Sequence, residues 1–95
     1  MKFEWDQAKN ERNLQWHGFD FADAERVFTG PSPFLVRLDT REDYGEDRWQ
    51  GIGVLDGVVV VMIVFTEPRT DVVRIISMRK ATKSERKEYE KRIKN

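Results

Sequence analysis

Ninety-five residues with seventeen Lys/Arg, seventeen Asp/Glu, one His and no Cys make one domain, residues 1–95, with one core that buries somewhat over ~60% of the unfolded surface. The missing cysteines exclude a disulfide framework and a thiolate zinc site, and a lone His excludes a histidine-rich metal site. Formal neutrality conceals a dipole: residues 1–65 hold seven Lys/Arg against twelve Asp/Glu, a net of −5, and residues 66–95 hold ten against five, a net of +5.

Phe3, Glu4 and Trp5 alternate before Asp6, as a short strand leading to a helix N-cap does. The helix runs through Lys9, Asn13 and His17 and stops at Gly18. That face is polar, and Leu14 is the one large aliphatic residue of the whole helix. Asp20 is a second N-cap, after which Phe21, Ala24 and Phe28 recur at core-facing helical spacing until Gly30-Pro31-Ser32-Pro33.

A strand over residues 34–38 sets Phe34, Val36 and Leu38 on one face. A polar loop with five acidic residues spans 39–47. Residues 48–55 alternate again, and Asp56-Gly57 is the expected turn of a tight hairpin. Residues 58–65 are apolar throughout, which predicts a central strand covered on both faces. Residues 66–71, containing Pro68, connect to a last strand over 72–78. Thr82 and Glu85 form a Thr-x-x-Glu capping box that opens the final helix. In that helix only Ala81, Tyr89 and Ile93 offer apolar surface, which predicts weak attachment or completion by a partner. The order predicts an α+β fold: a mostly antiparallel four-stranded sheet with a short N-terminal strand, two N-terminal helices and one C-terminal helix.

The segment 74–86 carries the strongest functional signal. Period-two counting puts Arg74 on the face of Val72, Ile76 and Met78, where an unpaired guanidinium is costly. That face therefore opens to solvent near Arg74, supplies a carboxylate, Glu46 or Glu67, to pair with it, or forms the floor of a cleft. Arg79 and Lys80 close the strand just before a helix N-terminus, and with Lys83, Arg86 and Lys87 they would seat a phosphate. The bland alternative is a solvated charge run. His17, at a helix C-terminus, is either a general acid or a hydrogen-bond donor to the last carbonyls. Arg48 follows the acidic loop, where it pairs with Glu46 or projects towards RNA while Trp49 fills the core. Trp5, Trp16 and the Phe residues are expected in the core or an interface, and Tyr89 is the one aromatic placed to stack beside the basic end.

Together these residues resemble the BrnT toxins of bacterial type II toxin–antitoxin pairs. The matching blocks are Phe3-Glu4-Trp5-Asp6 with Lys9 and Asn13, His17-Gly18 with Phe21, Ala24 and Phe28, and Tyr44-Gly45-Glu46 with Arg48-Trp49 and Gly53. Thr66-Glu67, Arg74-Ile75-Ile76-Ser77, Arg79-Lys80-Ala81 and Tyr89 complete the pattern. The resemblance implies a RelE-like fold, ribosome-independent and metal-independent cleavage of RNA that inhibits translation, and no cofactor. It also implies neutralisation by a BrnA-like antitoxin whose ribbon-helix-helix part binds operator DNA, so that the toxin meets DNA only indirectly. On this view Arg74, Arg79, His17, Arg48 and Glu46 are catalytic, and Lys80, Lys83, Arg86 and Arg69 bind RNA. A non-catalytic interaction module, with Tyr89 and Ile93 at its interface, is the competing expectation. The first six residues lack a signal peptide's apolar run, and residues 58–65 are too few to cross a bilayer as a helix. No membrane association is expected, and the expected compartment is the cytoplasm.

Overall fold

The computed structural model describes residues 1–94. Strand β1 (Lys2–Trp5) leads into helix α1 (Gln7–His17), and a 3-10 turn (Phe21–Asp23) precedes the short helix α2 (Ala24–Phe28). Strands β2 (Leu35–Leu38), β3 (Trp49–Leu55), β4 (Val59–Arg69) and β5 (Val72–Lys80) follow, and helix α3 (Lys83–Ile93) ends the described chain. The fold is α+β, as expected, but the sheet has five strands in the order β1-β5-β4-β3-β2, with β1 parallel to β5. The expectation of four strands plus a separate N-terminal one is corrected on this point. Parallel pairing between chain ends leaves no hairpin signal to read. The second expected helix is also shorter, a 3-10 turn followed by five α residues.

One face of the sheet carries the core. Phe21, Ala24 and Val27 pack on Leu55, Val61, Ile63, Phe65, Val73, Ile75 and Met78, with Phe3, Trp5, Phe28 and Phe34 around them. Phe28 meets Phe3 and Phe65 edge to face at centroid distances of 5.1 and 5.0 Å. Gly51 is required because the Phe34 ring lies over it: an added Cβ would sit 2.0 Å from the ring's Cζ.

Helix α1 has no apolar stripe, and Leu14 is exposed. It is held instead by two buried asparagines. Asn10 Oδ1 accepts from the Phe21 N–H at 2.8 Å, and its Nδ2 donates to Asp20 at 3.0 Å. Asn13 Oδ1 accepts from the Met78 N–H at 3.1 Å, while its Nδ2 donates to the Met78 and Phe19 carbonyls at 2.8 and 3.1 Å. Beyond the last β1–β5 pair, Trp5 with Ile75, the Asn13 side chain takes the place of a strand on the edge of β5.

Two irregularities reshape the strands. Val64 pairs with Ser77 and Phe65 with Ile75, so Ile76 is an extra residue, and the alternation of β5 reverses there. Met78 consequently faces the core with Ile75, not the side of Arg74, and the period-two assignment is corrected. The second irregularity sets Glu67 and Pro68 opposite Val73, between the pairs Thr66–Arg74 and Arg69–Val72. Pro68 is accommodated at this bulge, so β4 reaches Arg69 and the expected connector shrinks to Thr70-Asp71. At the other hairpin, Asp56 and Gly57 both adopt positive φ, 53° and 72°. Val58 donates to the Leu55 carbonyl at 3.1 Å, is 87% exposed and precedes the first strand residue.

Helix α3 lies over the face opposite the core. Its attachment is firmer than its composition predicts, because Tyr89 is only 2% exposed and its hydroxyl donates to the Pro33 carbonyl. A stacking or interface role for Tyr89 is thereby overturned; Ile93 alone of that pair is exposed. The capping box forms, with Thr82 Oγ1 accepting from the Glu85 N–H at 3.1 Å and Glu85 Oε1 from the Thr82 N–H at 2.8 Å.

Asn13→Ala strips both backbone groups of Met78 of their partner. It is expected to lower unfolding free energy by about 2–4 kcal/mol in urea titrations. A loss under about 1 kcal/mol would mean that the edge is satisfied in another way.

Candidate functional site

On the face away from the core, side chains form ordered rows across the strands. Glu4 neighbours Arg74, and Arg74 pairs across the ladder with Thr66. Trp49 pairs with Phe65, so the same register sets Arg48, one residue earlier, beside Thr66, one residue later. One row on, Arg37 pairs with Gln50, Gln50 with Val64 and Val64 with Ser77. The third row is Leu35, Ile52, Met62 and Arg79. The bulge at Ile76 is what brings Arg79 to the same face as Arg74. Regular alternation would have set them on opposite sides.

Arg74, Arg79 and Arg48 are each positioned by a carboxylate or a ring, and Arg37 by the Gln50 amide, to whose Oε1 its Nε donates at 3.0 Å. Glu4 accepts from Arg74 Nε at 2.7 Å and also pairs with Arg69. Those bonds, Arg74 first, hold its carboxyl below the ordinary range. The expected partners of Arg74, Glu46 and Glu67, are thus replaced by Glu4. Sequence reading passed over Glu4 because only its strand alternation was visible, not its parallel neighbour. Arg79 donates from Nη1 and Nη2 to the two oxygens of Glu85 at 2.8 and 3.0 Å. Its pKa is raised by that contact, against desolvation and the nearby positive charge of Arg41.

Arg48 lies with its Cζ 4.1 Å from the Tyr44 ring centroid. Glu46 is 3.9 Å from Arg48 Nε, an ion-pair contact and too long for a hydrogen bond. The loop preceding it, predicted simply as polar, folds on Asp39, whose side chain is fully buried. Asp39 accepts from Arg41 Nε and Nη2 at 2.8 and 2.7 Å, and these bonds with Arg41 lower its pKa to about 2. The Arg48 carbonyl accepts from the Asp39 N–H at 2.7 Å, which closes the loop.

Two buried side-chain atoms on this face have no hydrogen-bond partner among the described residues, Arg48 Nε and Thr66 Oγ1. Such an unpaired group costs about 1–3 kcal/mol. Beside them, between α3 and the sheet, lies a cleft of ≈ 250 Å³ lined by Leu35, Arg37, Gln50, Ile52 and Met62 with Glu85.

The remaining expected residues lie elsewhere. His17 is exposed at the end of α1, one helical turn, about 6 Å, past Asn13. Because Asn13 contacts Met78 and Trp5 neighbours Ile75, α1 runs in the direction of β5 and carries His17 away from Arg74. The offset along β5 is roughly 15 Å. Lys80 and Lys83 are exposed around the start of α3, and Arg86 is 3.9 Å from Glu90. Among the described residues, no three His, Cys, Asp or Glu side chains are grouped to hold a metal, and no helix is long and apolar enough to cross a membrane.

A family profile described as the ribonuclease toxin BrnT of type II toxin–antitoxin systems matches residues 5–85. The chain belongs to the BrnT family. Its fold is similar to the crystal structure of the Brucella abortus ribonuclease toxin BrnT, with a TM-score of 0.66, 28% identity, and coverage of 87% of this chain and 99% of that one. No curated protein sequence matches it. The BrnT match takes in β1's last residue and every element through the capping box of α3, so the rows of the open face, Glu4 apart, lie inside the family's shared region.

Glu85 serves both the cap and Arg79, and its pKa falls from an ordinary 4.5 to about 2, chiefly through Arg79. The folded-state value is the lower one, so this stabilisation is complete above about 4.5 and is lost as pH falls towards 2. Glu85→Gln retains a capping side chain without the charge. We expect it to cost about 1–2 kcal/mol at neutral pH and to flatten the stability profile in that acid window, measured by denaturant unfolding at several pH values. An unaltered slope would rule out the pair as its source.

Proposed function

We propose that this BrnT-family chain is an endoribonuclease that cuts RNA without the ribosome or a metal ion, so inhibiting translation. In this reading a BrnA-like ribbon-helix-helix antitoxin neutralises it and carries it to operator DNA. The observation that supports the reading is the convergence of Arg48 and Arg74 on one open sheet face, each held in place and each flanking position 66.

Cleavage follows from that arrangement. The RNA 2′-oxygen loses its proton and attacks the adjacent phosphorus, the bond from phosphorus to the 5′-oxygen breaks, and that oxygen gains a proton. The products are a 2′,3′-cyclic phosphate and a 5′-hydroxyl. Charge accumulates on the non-bridging oxygens, where fixed guanidinium groups stabilise it more than they stabilise the ground state. Arg74 and Arg48 take that role directly, and Arg79 adds positive charge from the same face. Glu46, close to Arg48 Nε, is the better placed proton acceptor. His17 could serve a proton step only for an RNA that wraps round to the far end of β5. Lys80, Lys83, Arg86 and Arg69 bind flanking phosphates, where each cation adds affinity that falls with salt.

The Arg74 and Glu4 side chains are partly exposed, so Arg74→Ala should cost under about 1 kcal/mol of stability. Cleavage of a fluorogenic RNA by purified protein should nevertheless fall roughly 10²–10³-fold in Arg74→Ala and Arg48→Ala and be unaffected by chelator. Wild-type rates in both variants would remove these residues from the mechanism. Abolition by chelator would remove the metal-free step. Expression with and without the adjoining gene, scoring growth and RNA integrity, tests the antitoxin.

A further inference from the structure

We propose that Thr66 is a substrate ligand: its hydroxyl, with the Nε–H of Arg48, binds a non-bridging oxygen of the RNA phosphate. This deepens the ribonuclease reading and rests on it for the identity of the ligand. Thr66 is 2% exposed, and its Oγ1 has no partner among the described residues. The neighbouring positions of β4, from Val59 to Phe65, are all apolar, so packing alone would be served equally by a valine. The hydroxyl is therefore an expense in the folded state that a hydrocarbon of the same shape would avoid.

A second buried atom without a hydrogen bond indicates what the hydroxyl meets. Arg48 Nε is also buried and without a hydrogen-bond partner among the described residues. The Arg48 side chain is held by the Tyr44 ring and by the Glu46 carboxylate, 3.9 Å from Nε, and a small shift of it would uncover both atoms to a phosphate oxygen. The two atoms belong to laterally adjacent positions on one face, and Arg74, the ladder partner of Thr66, lies on the other side. A hydroxyl that can donate, flanked by two guanidinium groups, calls for an anion with several acceptor oxygens. A phosphodiester supplies two non-bridging oxygens, and bonds between charged and polar groups of this kind are short and strong. The apolar-floored cleft one to two rows away, by Gln50 and Ile52, leaves room for the attached nucleotide to continue along the same face.

The test compares wild type, Thr66→Val and Thr66→Ser for thermal unfolding, RNA cleavage and affinity for a 2′-O-methyl oligonucleotide, which keeps the phosphates and cannot be cut. Thr66→Val is expected to melt at or above the wild-type temperature while losing roughly ten- to a hundredfold in both affinity and kcat/KM. Thr66→Ser, which retains the hydroxyl, should stay within a few-fold in both. A hydroxyl with a purely structural role would give the reverse pattern for valine, a lower melting temperature with undiminished affinity, and would overturn the proposal. If wild type cleaves RNA and Thr66→Val cleaves it equally well, the proposal fails while the ribonuclease reading stands. If wild type binds the oligonucleotide in a Thr66-dependent way but cuts nothing, the phosphate site stands and the ribonuclease reading fails. An oligonucleotide that does not bind wild type overturns both.

Discussion

The Asn13 carboxamide is the contact on which the arrangement depends. By pairing with both backbone groups of Met78, it completes the edge of β5 where β1 has ended. It also fastens a helix with no apolar face of its own. Backbone groups at a sheet edge need partners or water, and here a helix supplies them through one side chain. The position of α1 then fixes Asn10, which receives the Phe21 N–H and so starts the turn that brings Phe21, Ala24 and Val27 onto the sheet. Core and edge are linked through two short amides. Polar residues in this chain therefore carry part of what hydrophobic burial does elsewhere.

The opposite face uses the same economy with charge. Glu4 holds two arginines, Glu85 holds a third and a helix start, and Tyr44 with Asp39 orders a loop that fixes a fourth. Exposed ion pairs of this kind add little stability individually. On the proposed ribonuclease reading their value lies in orientation: guanidinium groups restrained before a substrate arrives need little rearrangement when charge develops on it. Glu4 apart, that face sits within the family's shared region.

Much of the architecture was legible in the sequence. Alternation located β2 and β3, a largely apolar run located β5, Asp56-Gly57 located the hairpin, and Thr82 with Glu85 located the start of α3. What escaped had no local signature. The parallel neighbour of β1 lies about seventy residues away, so Glu4 gave no sign of its hold on Arg74. Asn13 fell on a face read as polar because helical periodicity ranks asparagine as polar, whatever bond it makes once buried. Tyr89 was misjudged for a similar reason: one aromatic ring attached the helix that its sparse apolar stripe made to look loose. The cationic segment 74–86 was visible as a charge cluster. Its division, with Arg74 and Arg79 on the sheet and the lysines around the helix, required the three-dimensional register.

The extra residue at Ile76 gives that register an arithmetic character. Between Arg74 and Arg79, the number of residues decides the side of the sheet on which everything downstream points, because strand side chains alternate with period two. A replacement at Ile76 alters one side chain, and its removal would straighten the ladder with Met78 still in the core and Arg79 still outside; pairing Ile76 into a regular ladder would instead exchange the two, placing a guanidinium in the core and a thioether outside. This stretch should therefore tolerate loss of its extra residue better than loss of the bulge with the residue kept. Among relatives aligned to this chain, a single-residue gap there would signal a regular strand that presents the same face, not a reversed one.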